Sequence, residues 1–296
     1  MNQKVPIHQL LYSTVRIEAK TKNGTSVGTG FIIEHKFEDA HYMFLVTNKH
    51  VVENTTEGSF FFTRANSDGE PSMGERFDVK ADFSKVWHEH STEDIVITPL
   101  LPLIYQITNV LKQRIYFKAI PSSIIPDKKQ SDNLTALEEI IFIGYPNAIY
   151  DRKNLLPIIR KGTTATPLFV DYDGNPIFLI DASVFPGSSG SPVFIYNFGN
   201  FTDCNGNVTI GTRIHFVGVI SKVLIKEEQG TLEFEEIPTS KVPVIKSSQM
   251  IDLGVVIKPR VIIETIEAFL TQIKPNLNKG WEKDNLKGDV KNDKEQ

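Results

Sequence analysis

Short runs of β-forming apolar residues, separated by turn formers, extend over almost the whole chain. Between residues 10 and 120 these runs include STVRIEA, GFIIE, YMFLVT, SFFFTR and DIVIT. No segment there repeats apolar residues at helical spacing over four turns, so the pattern predicts many short strands. The pattern resumes after residue 136 with EEIIFIGYP, NPIFLIDAS, SPVFIYN and HFVGVISKV. Two β-rich halves of similar size are therefore expected.

Two segments of different composition divide the chain. Residues 121–136 are polar and rich in turn formers, as connections between domains are. Near the end, a segment that opens with Pro259 places four apolar residues on one helical face: Ile262, Ile266, Phe269 and Ile273. The prediction is an N-terminal β-domain over 10–120, a linker over 121–136, a C-terminal β-domain over 137–258, a helix over 259–273 and a charged, disordered tail over 274–296.

Composition narrows the function classes. The chain has 296 residues, 40% of them apolar, with 32 basic and 36 acidic side chains and a formal net charge of −4. That balance creates no overall attraction to nucleic acid or to an anionic membrane, so neither is expected as a partner. No Walker loop, dinucleotide fingerprint or CxxC pair occurs in the sequence, so no cofactor is expected.

The single cysteine, Cys204, bears on the cellular compartment. One cysteine excludes a disulfide framework within the chain and is typical of a reducing compartment. The first 20 residues show no apolar stretch of signal-peptide length and no small-residue cleavage pattern. A cytoplasmic location is therefore expected. Cys204 itself lies in the turn-like stretch DCNGN without a histidine motif, and we expect it to be inert.

The segment FPGSSGSPV (185–193) is the sharpest local feature, with three serines and two glycines between two strand-like runs. Because Gly tolerates positive φ and close approach to the backbone, such a segment can present a hydroxyl beside free N–H groups, as an oxyanion hole requires. The alternative is a Pro- and Gly-rich loop without chemistry, and the segment by itself favours neither.

A serine nucleophile needs a general base, and His50 is the best-placed of the seven histidines. It follows the strand-like run YMFLVT, so a short turn would hold its imidazole at the rim of a barrel. A third group must fix the tautomer of the imidazole, and Asp94, at the head of DIVIT, is an acceptor that would be buried beside it. Taken singly, each of these residues is also a common turn or strand-cap residue.

Three motifs together resemble the signatures of the chymotrypsin-like (trypsin-fold) serine peptidases. TNKHVV, EDIVI and GSSGSP occur in the order His, Asp, Ser, and GTGFII (28–33) is similar to the strand before the histidine in the HtrA-like and glutamyl-endopeptidase branches. FVGVIS (216–221) resembles the strand that lines the specificity pocket, and LGVVIKPRVIIETIEAFL resembles the closing strand and C-terminal helix. The resemblance covers residues 10–273. It implies an all-β fold of two six-stranded Greek-key barrels with the active site between them, plus a C-terminal helix.

The resemblance also implies site residues. The family pattern Gly-x-Ser-Gly-x-Pro fits 187–192 with Ser189 as nucleophile, and it leaves Ser188 at the variable position and Ser191 as a second internal control. The oxyanion hole would be the N–H groups of Gly187 and Ser189. His50 would act as the base, Asp94 would orient it, and Ser221 would hydrogen-bond Asp94.

The specificity pocket is expected to take small or medium apolar P1 side chains. Ser183 falls where trypsin-like members carry an acidic residue, so the pocket has no counter-charge for Lys or Arg. Val223 falls where a glycine commonly keeps the pocket open, and Gly254 would remain as the small wall residue. The stretch WHEH (87–90) offers two histidines, but it is more typical of a surface loop than of a metal site, and no metal is expected.

We therefore expect a serine endopeptidase that acts on protein or peptide substrates through an acyl-enzyme. An unrestrained protease in the cytoplasm would be hazardous, so we expect narrow specificity or gating by an activating partner protein. The main alternative is a catalytically silent relative that uses the same groove to bind peptides or partners. An esterase of the α/β-hydrolase type is disfavoured, because the chain order of the motifs is wrong and a full GxSxG is lacking.

Overall fold

Two β-structures and a C-terminal helix are the main parts of the described fold. The computed structural model describes residues 5–21, 24–146, 149–231 and 244–286, and for 225–231, 244–251 and 275–286 it describes the backbone alone. The mostly-β fold predicted from the sequence is confirmed: a closed six-stranded barrel lies beside a second sheet, and a helix follows them, as in the two-barrel trypsin fold.

The N-terminal strands form one sheet of nine strands. Its order is β5-β4-β1-β2-β3-β7-β6, with β8 paired to β4 and β9 paired to β2. The bounds are β1 Thr14–Thr21, β2 Gly24–Phe37, β3 Ala40–Thr47, β4 Glu57–Ala65, β5 Pro71–Asp82, β6 His88–Glu89, β7 Val96–Pro99, β8 Ile115–Tyr116 and β9 Ile120–Pro121. The expected strand count of six was too low, because three two-residue strands, too short to leave a sequence pattern, pair with the six longer ones.

The C-terminal barrel closes in the order β10-β11-β12-β17-β16-β13, and β14 and β15 pair outside it. The bounds are β10 Glu139–Gly144, β11 Ile158–Thr164, β12 Ile177–Asp181, β13 Pro192–Asn197, β14 Asn200–Thr202, β15 Val208–Ile210, β16 Arg213–Thr231 and β17 Val244–Ile257. All neighbouring pairs around the ring are antiparallel. The nucleophile segment 185–191 lies between the end of β12 and the start of β13, two strands that are not neighbours in the ring.

Helices occupy the connections and the C-terminal end. The described α-helices are α1 Pro6–Leu10, α2 Lys49–Val52, α3 Phe83–Val86, α4 Leu100–Tyr105, α5 Lys128–Asp132 and α6 Pro259–Leu286; a π-helical turn covers Gln106–Val110, and 3₁₀ turns cover Ser122–Ile124 and Tyr172–Gly174. The segment predicted as a linker, 121–136, thus contains the end of β9, a 3₁₀ turn and α5.

The last helix is longer than the sequence predicted. We expected helix over 259–273 and a disordered tail over 274–296, but α6 continues to Leu286, so the first part of that tail is helical. The prediction ended the helix where the apolar face ends, and the segment beyond contains Pro275, Gly280 and three Asn, which disfavour helix, so its composition did not indicate the extension. Residues 287–296 lie outside the described part of the chain.

One hydrophobic core joins both β-structures and the helix. Phe31 and Phe44 from the N-terminal sheet, Phe194 and Phe216 from the barrel, and the face of α6 belong to the same buried cluster. Within α6, Ile262 and Ile266 are fully buried, and Phe269 and Ile273 pack against them, as the helical spacing predicted. This shared core holds the two halves in a defined relation, which is what a site assembled from both halves requires.

Candidate active site

His50 lies at the end of the N-terminal sheet, where β3 passes into α2. The neighbouring Val51 and Val52 are buried in the N-terminal core, and Thr47 and Asn48 just before are fully buried. Four anchored neighbours thus hold the short turn, while the side chain of His50 stays 41% exposed. The imidazole is therefore positioned by the sheet but open to a ligand.

Asp94 orients the imidazole. Its Oδ2 lies 2.7 Å from His50 Nδ1, its Oδ1 accepts the main-chain N–H of His50 at 3.2 Å, and its main-chain oxygen accepts from Asn48 Nδ2 at 2.8 Å. Because the carboxylate accepts a hydrogen bond from Nδ1–H, the neutral ring keeps its proton on Nδ1. Nε2 is then the basic nitrogen.

The environment keeps Asp94 ionised. Burial raises the pKa of Asp94, but hydrogen bonds from His50 and from Ser221 outweigh that effect, and the net pKa is below its ordinary value of 3.8. Ser221 Oγ donates to Asp94 Oδ2 at 2.6 Å. Ser221 is a residue of the C-terminal barrel, so this bond crosses between the two halves.

Ser189 completes the group from the barrel side. Its Oγ donates to the main-chain oxygen of Ser221 at 3.3 Å, and the residue is half-buried. Among the described residues, no hydrogen bond joins Ser189 to His50. Ser221 instead connects the two, since its side chain contacts Asp94 and its main chain contacts Ser189.

The nucleophile loop has a conformation that depends on glycine. Gly187 has φ +88° and Gly190 has φ +83°, values that favour Gly. A Cβ on Gly190 would lie 1.8 Å from the main-chain oxygen of Thr29, so only Gly fits there. Within the described residues, the N–H groups of Gly187 and Ser189 have no hydrogen-bond acceptor, which leaves both available to an anionic oxygen.

The other two serines of the loop face inward. Ser188 and Ser191 are fully buried, and neither hydroxyl has a hydrogen-bond partner in the described part of the chain. Ser191 packs against Gly144, where an added Cβ would lie 2.0 Å from Ser191 Oγ. Of the three serines, Ser189 is thus the one that a substrate can reach.

The predicted pocket residues lie together on the barrel. Val223 of β16 pairs with Gly254 of β17, and Val223 packs against the barrel core. A Cβ on Gly254 would approach Val184 Cγ2 at 2.8 Å and Ile180 Cγ1 at 2.9 Å. The side chains of these two residues, in β12 and just after it, therefore occupy the space beside Gly254. Ser183 is partly buried between Ala182 and Val184.

A groove of about 640 Å³ opens beside the candidate triad. His50, Asp94 and Ser221 line one end of it, and aromatic and charged side chains line the rest, among them Phe83, Trp87, Glu89 and Lys222. Ser189 and Gly187 do not line this groove, which therefore adjoins the His50 and Asp94 side of the site.

Sequence reasoning predicted the supporting role of Ser221 but missed other residues that support the site. Thr29 was seen only as part of GTGFII, yet it contacts the nucleophile loop through its main chain and its side chain. Asn48 and Lys49 directly precede His50 in TNKHVV. The side chain of Asn48 donates to the main-chain oxygen of Asp94, and that of Lys49 donates to the main-chain oxygen of His90. These roles depend on contacts between distant segments, which no local pattern indicates.

The WHEH stretch has a structural role. The ring of His88 packs on Phe269 of α6 with centroids 4.3 Å apart, and burial lowers the pKa of His88. His90 Nδ1 accepts the N–H groups of Thr92 and Glu93, at 3.3 and 2.9 Å. Both rings are thus engaged, and the described residues contain no cluster of three or more metal-ligating side chains.

Cys204 is exposed, with Sγ 3.5 Å from the main-chain oxygen of Asp132.

Within the part of the chain that the structure describes, no helix combines the length and the hydropathy needed to cross a lipid bilayer.

Comparison with solved structures finds matches of low sequence identity. The HtrA-type protease AlgW with a tripeptide is 14% identical over 89% of this chain and 62% of its own, with a TM-score of 0.47. The serine endoprotease from Yersinia pestis is 14% identical over 90% of this chain and 65% of its own, with a TM-score of 0.45. This chain therefore spans less than two thirds of either of those chains.

A third structure, an inactivated protease paralogue of the scabies mite, is 15% identical over 91% of this chain and 98% of its own, with a TM-score of 0.44. Comparison with curated proteins finds no match. The trypsin-like peptidase domain, by contrast, matches residues 28–199, which include His50, Asp94 and Ser189. That match extends over more than half of the sequence, and the chain belongs to the trypsin-like family of chymotrypsin-fold serine peptidases.

Proposed function

We propose that this protein is a serine endopeptidase that cleaves peptide bonds through an acyl-enzyme on Ser189. The observation that carries the proposal is one connected set of contacts: Asp94 binds His50 Nδ1, Ser221 binds Asp94, and Ser189 binds Ser221, beside N–H groups that have no acceptor among the described residues. Separate parts of a trypsin-like site thus meet at one point of this chain.

The first step is acylation. Ser189 Oγ turns from the main-chain oxygen of Ser221 towards His50 Nε2, gives up its proton there and attacks the scissile carbonyl carbon. The carbonyl oxygen becomes an oxyanion, which the N–H groups of Gly187 and Ser189 stabilise. His50 then returns the proton to the leaving amine, and the C–N bond breaks to leave an ester on Ser189.

The second step is hydrolysis of that ester. His50 takes a proton from water, the hydroxide attacks the ester carbonyl, and Ser189 leaves with the proton that His50 gives back. Asp94 stays ionised throughout and stabilises the imidazolium, in keeping with the lowered pKa of its carboxyl.

Substrates are proteins or peptides with small or medium apolar P1 side chains. Two features support this preference: Ser183 provides no negative charge for Lys or Arg, and Val184 and Ile180 fill the space beside Gly254. A peptide library profiled at P1 is expected to show Ala, Val or Leu first, and a clear Arg or Glu preference would contradict the assignment.

We also propose that activity is narrow or gated by a partner protein, in a cytoplasmic setting. The hazard that an unrestrained protease would pose in the cytoplasm supports this proposal, and the Ser189 hydroxyl, which donates to Ser221, must rotate towards His50 before catalysis. Purified protein is then expected to leave casein largely intact over hours, and rapid degradation of casein by the protein alone would refute gating.

A catalytically silent peptide-binding protein is the second candidate. The same observation favours it, because the Ser189 hydroxyl donates to Ser221 rather than to the imidazole. Labelling with a fluorophosphonate probe separates the two functions, with the modified peptide mapped by mass spectrometry. A peptidase is expected to be labelled at Ser189 in the native chain and in Ser188→Ala, and not in Ser189→Ala. An unlabelled native chain would refute a peptidase that is active by itself, and it would leave the binding protein and a peptidase whose oxyanion hole forms only when a partner binds.

A further inference from the structure

Thr29 is a fully buried residue of β2 that contacts the nucleophile loop at two points. Its main-chain N–H donates to the oxygen of Ser189 at 3.0 Å, and its Oγ1 donates to the oxygen of Gly187 at 3.0 Å. Thr29 thus holds the carbonyl groups of the same two residues whose N–H groups have no acceptor among the described residues.

The direction of the Thr29 hydroxyl proton follows from its second partner. Thr29 Oγ1 accepts the main-chain N–H of Tyr145 at 3.0 Å. An N–H can only donate, so the hydroxyl proton must point to the other partner, the oxygen of Gly187. The hydroxyl therefore links β2 to two segments of the C-terminal barrel, at Gly187 and Tyr145.

The bonds from Thr29 complete the restraint of the loop. In the peptide between Gly187 and Ser188, the N–H of Ser188 donates to Phe185 at 2.9 Å and the oxygen is held by Thr29. In the peptide between Ser189 and Gly190, the N–H of Gly190 donates to Ile220 at 2.9 Å and the oxygen is again held by Thr29. Two peptide planes on either side of the nucleophile are thus bonded at both ends.

We infer that the Thr29 hydroxyl is a positioning group for the oxyanion hole: it fixes the 187–188 peptide, which lies between the 186–187 and 188–189 peptides that carry the two donor N–H groups. This inference rests on the proposed function. Electrostatic stabilisation of a transition state depends on donors that are held in place before the reaction, so a loop free to rotate at Gly187 loses part of that stabilisation. The hydroxyl acts on the reacting oxygen only through Gly187.

The chain offers a closely matched control in Thr164. It too is buried, its Oγ1 donates to the oxygen of Ala136 at 2.7 Å, and it accepts the N–H of Glu138 at 2.8 Å. Thr164→Val therefore removes two hydrogen bonds of the same kind as Thr29→Val does, one donated to a main-chain oxygen and one accepted from a main-chain N–H. Within the described part of the chain, Thr164 has no hydrogen bond to the nucleophile loop. The two variants should lose similar stability, which thermal unfolding measures.

The test compares inactivation kinetics with a fluorophosphonate probe. In Thr29→Val the maximal rate of inactivation is expected to fall by roughly 10- to 100-fold, less than the loss of an oxyanion donor itself, while the concentration for half-maximal inactivation stays unchanged. Thr29→Ser retains the hydroxyl and is expected to recover most of the rate. Thr164→Val is expected to react like the native chain.

Each other result decides the question. If the native chain does not react at all, the isolated chain either is no peptidase or needs a partner to form its site, and the inference that Thr29 holds a preformed oxyanion hole is refuted in both cases. If the native chain reacts and Thr29→Val reacts equally fast, only the role of Thr29 is refuted. An equal loss of rate in Thr29→Val and Thr164→Val, or no recovery in Thr29→Ser, would show a general effect on stability and would also refute that role.

Discussion

Ser221 Oγ donates a hydrogen bond of 2.6 Å to Asp94 Oδ2, and this contact joins the C-terminal barrel to the N-terminal sheet at the centre of the site. The carboxylate oxygen that holds His50 is thus also held from the opposite half of the molecule. Because hydrogen bonds to an ionised carboxylate are stronger than neutral ones, this bond both lowers the pKa of Asp94 and restrains the two halves.

Ser221→Ala is expected to raise the pKa of Asp94 towards 3.8, since one of the bonds that lower it is lost. The shift is measured by NMR titration of the Asp94 carboxyl. The rate of probe labelling at neutral pH should fall by only about tenfold, because His50 still holds the carboxylate. An unchanged pKa of Asp94 would show that Ser221 has no influence on the ionisation.

Asp94→Asn is expected to reduce turnover by about 10⁴-fold while leaving the fold intact. An amide presents a donor or a neutral acceptor to His50 Nδ1, so the ring loses its preference for the tautomer with a basic Nε2. Turnover of an apolar-P1 peptide ester measures the loss, and circular dichroism checks the fold. A loss of less than tenfold would contradict the role of Asp94 as the orienting group.

Gly190→Ala is expected to unfold the nucleophile loop or the whole barrel. Both a φ of +83° and a contact of 1.8 Å with the Thr29 oxygen oppose the added Cβ. Gly69→Ala is the matched control, because Gly69 has φ +79° and nothing within 4 Å of the added atom. We expect the alanine to lower the free energy of unfolding by about 1 kcal/mol at Gly69, where only the backbone conformation opposes it. At Gly190 we expect a loss of roughly 3 kcal/mol or more. Urea unfolding measures both, and equal costs would contradict the close approach.

Asp171 attaches the loop before β12 to the start of α6. Its Oδ1 lies 2.7 Å from Lys258 Nζ and its Oδ2 lies 2.5 Å from Arg260 Nη2. The hydrogen bond from Arg260, followed by that from Lys258, lowers the pKa of Asp171 to about 2. A carboxyl whose pKa is lower in the folded state than in the unfolded state stabilises the fold fully at pH values above the unfolded pKa of 3.8. This stabilisation is lost as the pH falls from 3.8 to about 2.

Asp171→Asn is therefore expected to lower the free energy of unfolding by about 1 kcal/mol at pH 7, a value reduced for the partial exposure of the pair. The difference from the native chain should shrink as the pH falls below 3.8. Urea unfolding at a series of pH values measures it. Asp39→Asn is the control, because Asp39 is exposed and has no ion pair or hydrogen bond among the described residues. A difference independent of pH would exclude an electrostatic cause.

Local patterns were sufficient for the mostly-β class and for the last helix, whereas the two-barrel architecture was implied by the family resemblance. Short apolar runs separated by turn formers predicted two β-rich halves, and the spacing of Ile262, Ile266, Phe269 and Ile273 predicted the buried face of the last helix. Such patterns work because strands and helices repeat their buried positions every two or 3.6 residues. They failed for two-residue strands, and for the end of α6, where no buried face marks the boundary.

The motifs named His50, Asp94 and Ser189 as chemical candidates, because the residue types and their order along the chain are a matter of sequence alone. Tertiary structure decided how they are held. Ser221 contacts Asp94 across 127 positions of sequence, and Thr29 contacts Gly187 across 158. A hydrogen bond between segments so far apart depends on how the two halves pack, and only the folded chain brings a buried threonine of one half to the nucleophile loop of the other.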